Sequence, residues 1–261
     1  MSNSYKKIIL NNILPAIKSP LTSLKLIWRR LFPFGIVPKD KEAYRIGSWS
    51  YGRAERVPLN TIFKDIENTD ILVIKPFDRD ITTSLDTLEI NVLNSIVKYK
   101  NSKRMVEVGT FNGNTSVNLA ANSSSDAIIT TLDLPPDWDG KYNINVPDIY
   151  VNVTDRNAVG KQILENNQYA SKIKQVFGDS AKLDWSTFDG PFDFVFIDGN
   201  HHYDYVCSDT KNAWKHLSLG GVIIWHDYGM IEDVSRAVDE FCADKKLYIV
   251  RGTRLAISIK D

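Results

Sequence analysis

From about residue 84 onward, hydrophobic positions alternate between a helical period and short, continuous apolar runs. The helical spacing predicts helices from Ser84 to Tyr99 and from about Ile231 to Ala243. The short runs predict strands at Met105–Val108, Ala127–Leu132, Ile173–Phe177, Phe192–Ile197, Val222–Trp225, Leu247–Val250 and Leu255–Ile259. The last two runs flank a Gly-containing turn and predict a terminal hairpin. Helices alternating with buried strands are typical of a parallel sheet with crossover helices.

The link between the first strand and the next helix carries two glycines four positions apart. Gly109 allows a sharp turn, Gly113 allows the backbone to approach a ligand, and Asn114 or Thr115 can cap the helix that follows. The middle glycine of the dinucleotide fingerprint is missing, which argues against a pyrophosphate. Glu107 precedes the loop, and an anion there favours a cationic ligand. The loop therefore suits S-adenosylmethionine, with an unrelated strand-to-helix turn as the alternative.

The overall charge excludes one class of partner. The chain has 261 residues and a formal net charge of zero, with a pI near 6.9. No global basic field exists to attract nucleic acid, so we expect no nucleic-acid partner. The two cysteines, Cys207 and Cys242, lie far apart and have neither disulfide-framework nor metal-finger spacing. A reducing cytoplasm is the expected location.

The first 40 residues differ from the rest of the chain. They contain seven basic residues against Asp40 alone, interleaved with apolar residues and interrupted by Pro15, Pro20 and Pro33. No run reaches the roughly 18 apolar residues that a bilayer span needs. We expect residues 1–80 to form a basic, amphipathic extension and 81–261 to form the main domain. The arm suits peripheral contact with an anionic inner membrane, or it packs on its own domain or on a second subunit of a homodimer.

Three predicted strands are followed by carboxylates, and open α/β sheets bind ligands beyond the carboxyl ends of their strands. Asp133 lies twenty residues after Gly113, where an acid commonly binds ribose hydroxyls; a turn acid before Pro135 is the alternative. After the third strand, Asp179 and Ser180 could reach an adenine amino group, or form a simple turn.

Asp198 and Asp227 follow the fourth and fifth strands. If these strands are neighbours, the two carboxylates lie about 5 Å apart and repel unless a cation or a shared proton intervenes. Oxygen ligands suit Mg²⁺, or Mn²⁺ where an imidazole is added. His201 could then remove a proton from a substrate hydroxyl. The alternative is that His201 and His202 only cap the next helix and that Asp227 caps the helix after it.

Several phrases in order along the chain carry a family resemblance. They are Val106-Glu-Val-Gly-Thr-Phe-Asn-Gly-Asn-Thr115, Thr131-Leu-Asp-Leu-Pro-Pro136, Phe177-Gly-Asp-Ser180, Phe194-Val-Phe-Ile-Asp-Gly-Asn-His201 and Gly220-Gly-Val-Ile-Ile-Trp-His-Asp-Tyr228. Over roughly residues 80 to 261 the chain resembles class I S-adenosylmethionine-dependent methyltransferases, in the branch called methyltransferase family 24. The resemblance implies a Rossmann-like α/β fold with a seven-stranded sheet, mostly parallel with an antiparallel last strand and flanked by helices.

The resemblance also implies a set of site residues. The expected cofactor-binding residues are Glu107, Gly109, Thr110, Phe111, Gly113, Thr115, Asp133, Leu134, Gly178, Asp179, Ser180 and Asp198. Catechol-type O-methyltransferases, a related branch, hold Mg²⁺ with two aspartates and an asparagine; Asp198 and Asp227 align with the aspartates. Tyr228 occupies the asparagine position, which leaves His226, His201 or water as third ligand. We predict Asp198, Asp227 and His226 as the metal set.

The predicted function is therefore transfer of a methyl group from S-adenosylmethionine to a hydroxyl of a sugar, a glycan or a small molecule, with His201 and Asp198 as catalytic residues. The aromatic connection between Leu134 and Asn152 is a candidate lid over the acceptor. A catalytically silent, cofactor-binding partner subunit and a metal-dependent hydroxylase of the same fold are the alternatives.

Overall fold

The computed structural model describes residues 52–75, 85–138, 141–144 and 158–261, all within one compact unit, Tyr51–Asp261. Their strands are β1 Glu55–Val57, β2 Arg104–Val108, β3 Ile128–Asp133, β4 Ile173–Phe177, β5 Phe192–Ile197, β6 Leu217–Trp225, β7 Tyr248–Val250 and β8 Ala256–Ile259. These form one sheet in the order β1-β7-β8-β6-β5-β2-β3-β4. β8 pairs antiparallel with β6 and β7, and the other pairs are parallel.

Helices connect these strands and cover the sheet. They are α1 Leu59–Ile62, α2 Thr87–Lys100, α3 Asn114–Ala121, α4 Lys161–Glu165, α5 Asn167–Ala170, α6 Tyr203–His216 and α7 Glu232–Phe241. Short 3₁₀ turns lie at Ile66–Asn68 and Trp185–Thr187. The central strands are buried along nearly their whole length because helices cover both faces of a parallel sheet. Two buried clusters result, one containing Val106 and Trp225 and the other Met105 and Phe196.

The fold class is the one expected from the sequence, and the terminal hairpin is confirmed by the β7–β8 pair. The sheet differs in one respect: it has eight strands among the described residues rather than seven. The additional strand, β1, lies within residues 1–80, which the sequence analysis assigned to the extension. Only three residues long, it shows too little alternation to be recognised from sequence.

Some predictions fall outside the described residues. These are the basic arm 1–40, and much of the candidate lid between residues 134 and 152. Among the helices of the described ranges, none combines the length and the apolar character that a bilayer span requires.

Candidate functional site

The glycine loop connects β2 to α3 at the carboxyl edge of the sheet, as expected. Gly109 has a φ of +97°, and a Cβ there would lie 2.1 Å from the carbonyl oxygen of Asp198. Gly113 is the N-cap residue of α3, and its Cβ would lie 2.7 Å from the Ile163 side chain. The prediction that Asn114 or Thr115 caps the helix is wrong, since the helix already begins at Asn114. Both glycines are required by close packing within the chain.

Glu107 lies beneath this loop and is fully buried. Its carboxyl group accepts hydrogen bonds from the hydroxyls of Ser116 and Thr131, and Thr131 is also 2.7 Å from the hydroxyl of Thr110. Burial raises the pKa of Glu107 to about 8, against the lowering effect of these hydrogen bonds. The carboxyl group is therefore mostly protonated at pH 7. The raised pKa does not favour the hypothesis that Glu107 supplies an anion to the ligand, and that hypothesis stays a prediction.

Asp133 joins the three loops that follow β2, β3 and β4. Its carboxylate accepts the backbone N–H groups of Phe111 at 2.8 Å and Leu134 at 2.7 Å, and its carbonyl accepts the N–H of Gly178 at 2.8 Å. These bonds confirm the alternative that Asp133 is a turn acid, and its binding of ribose hydroxyls stays a prediction.

Asp179 and Ser180 lie beside an aromatic group. The Asp179 carboxylate accepts the hydroxyl of Tyr205 at 2.7 Å and the backbone N–H of Asn143 at 2.7 Å. Tyr142 packs between Tyr205 and Trp138, with ring centroids 5.6 and 4.6 Å apart. The predicted adenine contacts therefore adjoin the first part of the candidate lid.

The acidic cluster follows the adjacent strands β5 and β6, as predicted. Ile197 pairs with Trp225, so Asp198 and Asp227 follow neighbouring strand ends. One ligand atom each from Asp198, His201 and Asp227 lies within 4.8 Å of the others. His201 Nε2 is 3.5 Å from Asp198 Oδ1 and 3.3 Å from Asp227 Oδ2. This nitrogen is buried and makes no well-aligned hydrogen bond to the described residues. An unsatisfied nitrogen between two carboxylates fits a divalent cation.

His226 follows β6, as predicted, and lies between two carboxylates. Its Nδ1 lies 3.0 Å from Asp198 Oδ1 and its Nε2 lies 3.2 Å from Glu89 Oε2. Burial lowers the pKa of His226, but the charge of Asp198 and hydrogen bonds to both carboxylates outweigh it and hold the pKa well above its usual range. A protonated imidazole has no lone pair for a metal. The metal set Asp198, Asp227 and His226 stays a prediction, and His201 is the other imidazole beside the two aspartates.

Two residues that the sequence analysis missed complete the cluster. The Glu89 carboxylate accepts hydrogen bonds from Arg254. The Arg254 backbone N–H donates at 2.9 Å, and the Arg254 guanidinium donates at 3.0 and 3.2 Å. The same guanidinium donates to Asp227 Oδ1 at 2.8 Å. Despite the opposing effect of burial, bonds from His226 and Arg254 lower the pKa of Glu89 to about 2. Its one sequence signal was the spacing Asp86-x-x-Glu89, which predicts a helix cap rather than a site.

Electrostatics keep Asp198 ionised as well. Burial opposes its charged form, but the charge of His226 dominates and holds the pKa of Asp198 well below its usual range.

Tyr228 points away from this cluster of acids. Its hydroxyl donates to Asp239 at 2.6 Å and accepts the N–H of Ala54 at 2.9 Å. Tyr228, at the position where the related branch has an asparagine ligand, therefore stabilises the segment that leads into β1.

The strand order, the glycine loop and the strand-end acids define the class I S-adenosylmethionine-dependent methyltransferase fold. Residues 106–228 match the family model described as a methyltransferase domain, methyltransferase family 24, which confirms the resemblance drawn from the motifs. No protein of curated function matches the sequence.

Solved structures with this fold include a putative caffeoyl-CoA O-methyltransferase from Staphylococcus aureus, with a TM-score of 0.52 and 17% identity over 78% of this chain and 91% of that one. The O-methyltransferase TomG from Streptomyces achromogenes, in complex with SAM, has a TM-score of 0.51 and 16% identity over 69% and 83%. An O-methyltransferase from Bacillus cereus, in complex with SAH, has a TM-score of 0.51 and 16% identity over 69% and 84%.

Proposed function

We propose that the protein is an O-methyltransferase that uses S-adenosylmethionine and a divalent cation, Mg²⁺ or Mn²⁺, to methylate a hydroxyl of a sugar, a glycan or a small molecule. The observation that carries the proposal is the cluster of Asp198, His201 and Asp227. This cluster lies beside the glycine loop. The Asp198 N–H donates to the carbonyl oxygen of Val108 at 2.8 Å, and the Asp198 carbonyl oxygen packs against Gly109. Cofactor loop and acid–base groups therefore share one end of the sheet.

In this proposal the chain binds and orients both reactants. Asp133 binds the ribose of the cofactor, and Asp179 and Ser180 lie near its base. Asp198 and Asp227 hold the cation, and His201 accepts the proton of the acceptor hydroxyl. Bound S-adenosylmethionine supplies a methyl group on a sulfonium sulfur, and a bound divalent cation lowers the pKa of an adjacent hydroxyl.

The transfer needs few protein groups beyond these. The acceptor oxygen forms a bond to the methyl carbon while the carbon–sulfur bond breaks, and the bonding pair stays on sulfur. His201 Nε2, which lies 3.3 to 3.5 Å from the two carboxylates, takes the proton. Positioning supplies the remaining rate enhancement.

The acceptor class is supported by the aromatic residues of the candidate lid, of which Trp138 and Tyr142 lie in the described part, with ring centroids 4.6 Å apart. Ring faces of this kind stack on sugars and aromatic rings.

We further propose that the basic arm, residues 1–40, contacts an anionic membrane surface, where a lipid-linked glycan would be available. Flotation of the intact and the arm-truncated chain with anionic vesicles tests this; equal flotation would exclude the contact.

Calorimetry tests the cofactor assignment. We expect S-adenosylmethionine to bind with a dissociation constant in the low micromolar range, about −8 kcal/mol. Asp133→Ala should weaken binding, and Asp126→Asn, at an exposed ion pair with Lys103, should not. Absence of heat with both the cofactor and its demethylated product would refute the proposal.

One nitrogen of His201 cannot both bind a metal and accept a proton, so the two roles need separate measurement. With labelled cofactor and a cell extract as acceptor source, chelation should abolish methyl transfer. His201→Ala should abolish transfer while Mn²⁺ affinity changes little. A loss of Mn²⁺ affinity comparable to that of Asp227→Ala would make His201 a ligand instead.

A further inference from the structure

We propose that Glu89 is a positioning residue for the cation site. Through His226 and Arg254 it fixes the orientation of the two aspartates, Asp198 and Asp227. The inference rests on the proposed function, because it assigns Glu89 to the binding of the cation.

Glu89 is itself held from several sides in the first turn of α2. Its backbone N–H donates to Asp86 at 2.8 Å, and its carboxylate accepts the Asp86 N–H at 3.2 Å. The side chain is completely buried. A carboxylate held in this way has little rotational freedom. It therefore fixes the orientation of the side chains that donate hydrogen bonds to it.

Two side chains, those of His226 and Arg254, connect this carboxylate to the aspartates by hydrogen bonds. His226 bonds to Glu89 Oε2 at 3.2 Å and to Asp198 Oδ1 at 3.0 Å. Arg254 bonds to both oxygens of Glu89 and to Asp227 Oδ1 at 2.8 Å. One oxygen of each aspartate is therefore fixed. The other oxygen of Asp227 faces His201 Nε2 at 3.3 Å, where the cation is proposed.

The charges also agree with a cation at this point. Three carboxylates, those of Glu89, Asp198 and Asp227, contact two basic side chains, His226 and Arg254. Of the two, only Arg254 has a permanent charge. The acids outnumber that charge, which agrees with a cation beside them.

A purely structural Glu89 would affect folding but not metal affinity. Removal of a hydrogen-bond partner that orients a metal ligand typically weakens metal binding by about 10–100-fold. Glu89→Gln retains the shape and removes the charge. Arg254→Lys retains the charge but loses the fork that contacts Glu89 and Asp227 together. Asp126→Asn is the matched control, since it removes an acid from an exposed ion pair.

The experiment measures Mn²⁺ binding to the full-length chain by electron paramagnetic resonance, with S-adenosylmethionine binding by calorimetry and thermal unfolding in parallel. We expect Mn²⁺ affinity to fall by about 10–100-fold in Glu89→Gln and Arg254→Lys and to stay unchanged in the control. Cofactor affinity should remain close to that of the wild type in all three. If Glu89→Gln does not fold, Arg254→Lys provides the test.

Unchanged Mn²⁺ affinity in the folded variants, with affinity lost in Asp227→Ala, would overturn the role of Glu89 alone. A wild type that binds the cofactor but no Mn²⁺ would overturn this inference together with the cation. A wild type that binds Mn²⁺ but not the cofactor would refute the proposed function, while the variants would still report on Glu89.

Discussion

Replacing Gly109 by alanine should damage the site through its backbone. The added Cβ would lie 2.1 Å from the carbonyl oxygen and 2.7 Å from the carbonyl carbon of Asp198. Backbone atoms of a central strand end cannot rotate away as a side chain can. β2 and β5 would have to separate at their carboxyl ends, which displaces Asp198.

The magnitude follows from two contributions. A non-glycine residue at positive φ costs about 1–2 kcal/mol. Overpacking that forces backbone shifts costs about 1–3 kcal/mol more. Gly220 provides a matched control, because its φ is +73° and a Cβ there meets nothing within 4 Å. Gly220→Ala should therefore show the first contribution alone.

Urea unfolding of both variants measures the difference. We expect Gly109→Ala to lose about 2–5 kcal/mol of the free energy of unfolding and Gly220→Ala about 1–2 kcal/mol. Calorimetry should show weakened cofactor binding for Gly109→Ala and wild-type binding for Gly220→Ala. Equal destabilisation of the two variants would refute the argument that the Asp198 carbonyl sets the requirement for glycine.

Two further predictions concern buried acids. Glu107→Gln should change cofactor affinity little, because burial raises the pKa of Glu107 to about 8 and leaves it mostly neutral at pH 7; a loss of about tenfold or more by calorimetry would mean that a charge acts on the ligand. Burial also raises the pKa of Asp209 from 3.8 to about 7. The folded state then holds a proton that the unfolded state has released, so wild-type stability should fall relative to Asp209→Asn as the pH rises from about 5 to 7, by up to about 1.4 kcal/mol per pH unit. Parallel pH profiles of urea unfolding would contradict this.

The long buried elements could be predicted because their patterns are strong. β4 and β5 have the predicted bounds, and α2 and α7 differ from prediction by a few residues. β6 begins at Leu217 rather than Val222, since Gly220 and Gly221 interrupt its apolar run. Propensity arguments weaken at such glycines, whereas pairing with neighbouring strands still forms the strand.

The chemistry of individual residues was harder to predict than their location. Glu107 was placed correctly beside the loop, yet its charge state depends on burial, which no short motif encodes. His226 was placed correctly after β6, yet its role depends on Glu89, which lies 137 residues away in the sequence. Sequence alone shows which residues reach the edge of the sheet; their ionisation follows from what the rest of the fold places next to them.

Arg254 shows that part of this information can be recovered from topology. β8 is antiparallel to both β6 and β7, so β7 runs in the same direction as β5 and β6. The turn between β7 and β8 must therefore lie at the carboxyl edge, the edge that holds Asp198 and Asp227. The terminal hairpin was predicted, and the direction of its last strand was implied by the family resemblance. Together they suffice to place a cationic turn beside the acidic cluster, a conclusion that the sequence analysis did not draw; Arg254 and Asp227 are in contact at 2.8 Å.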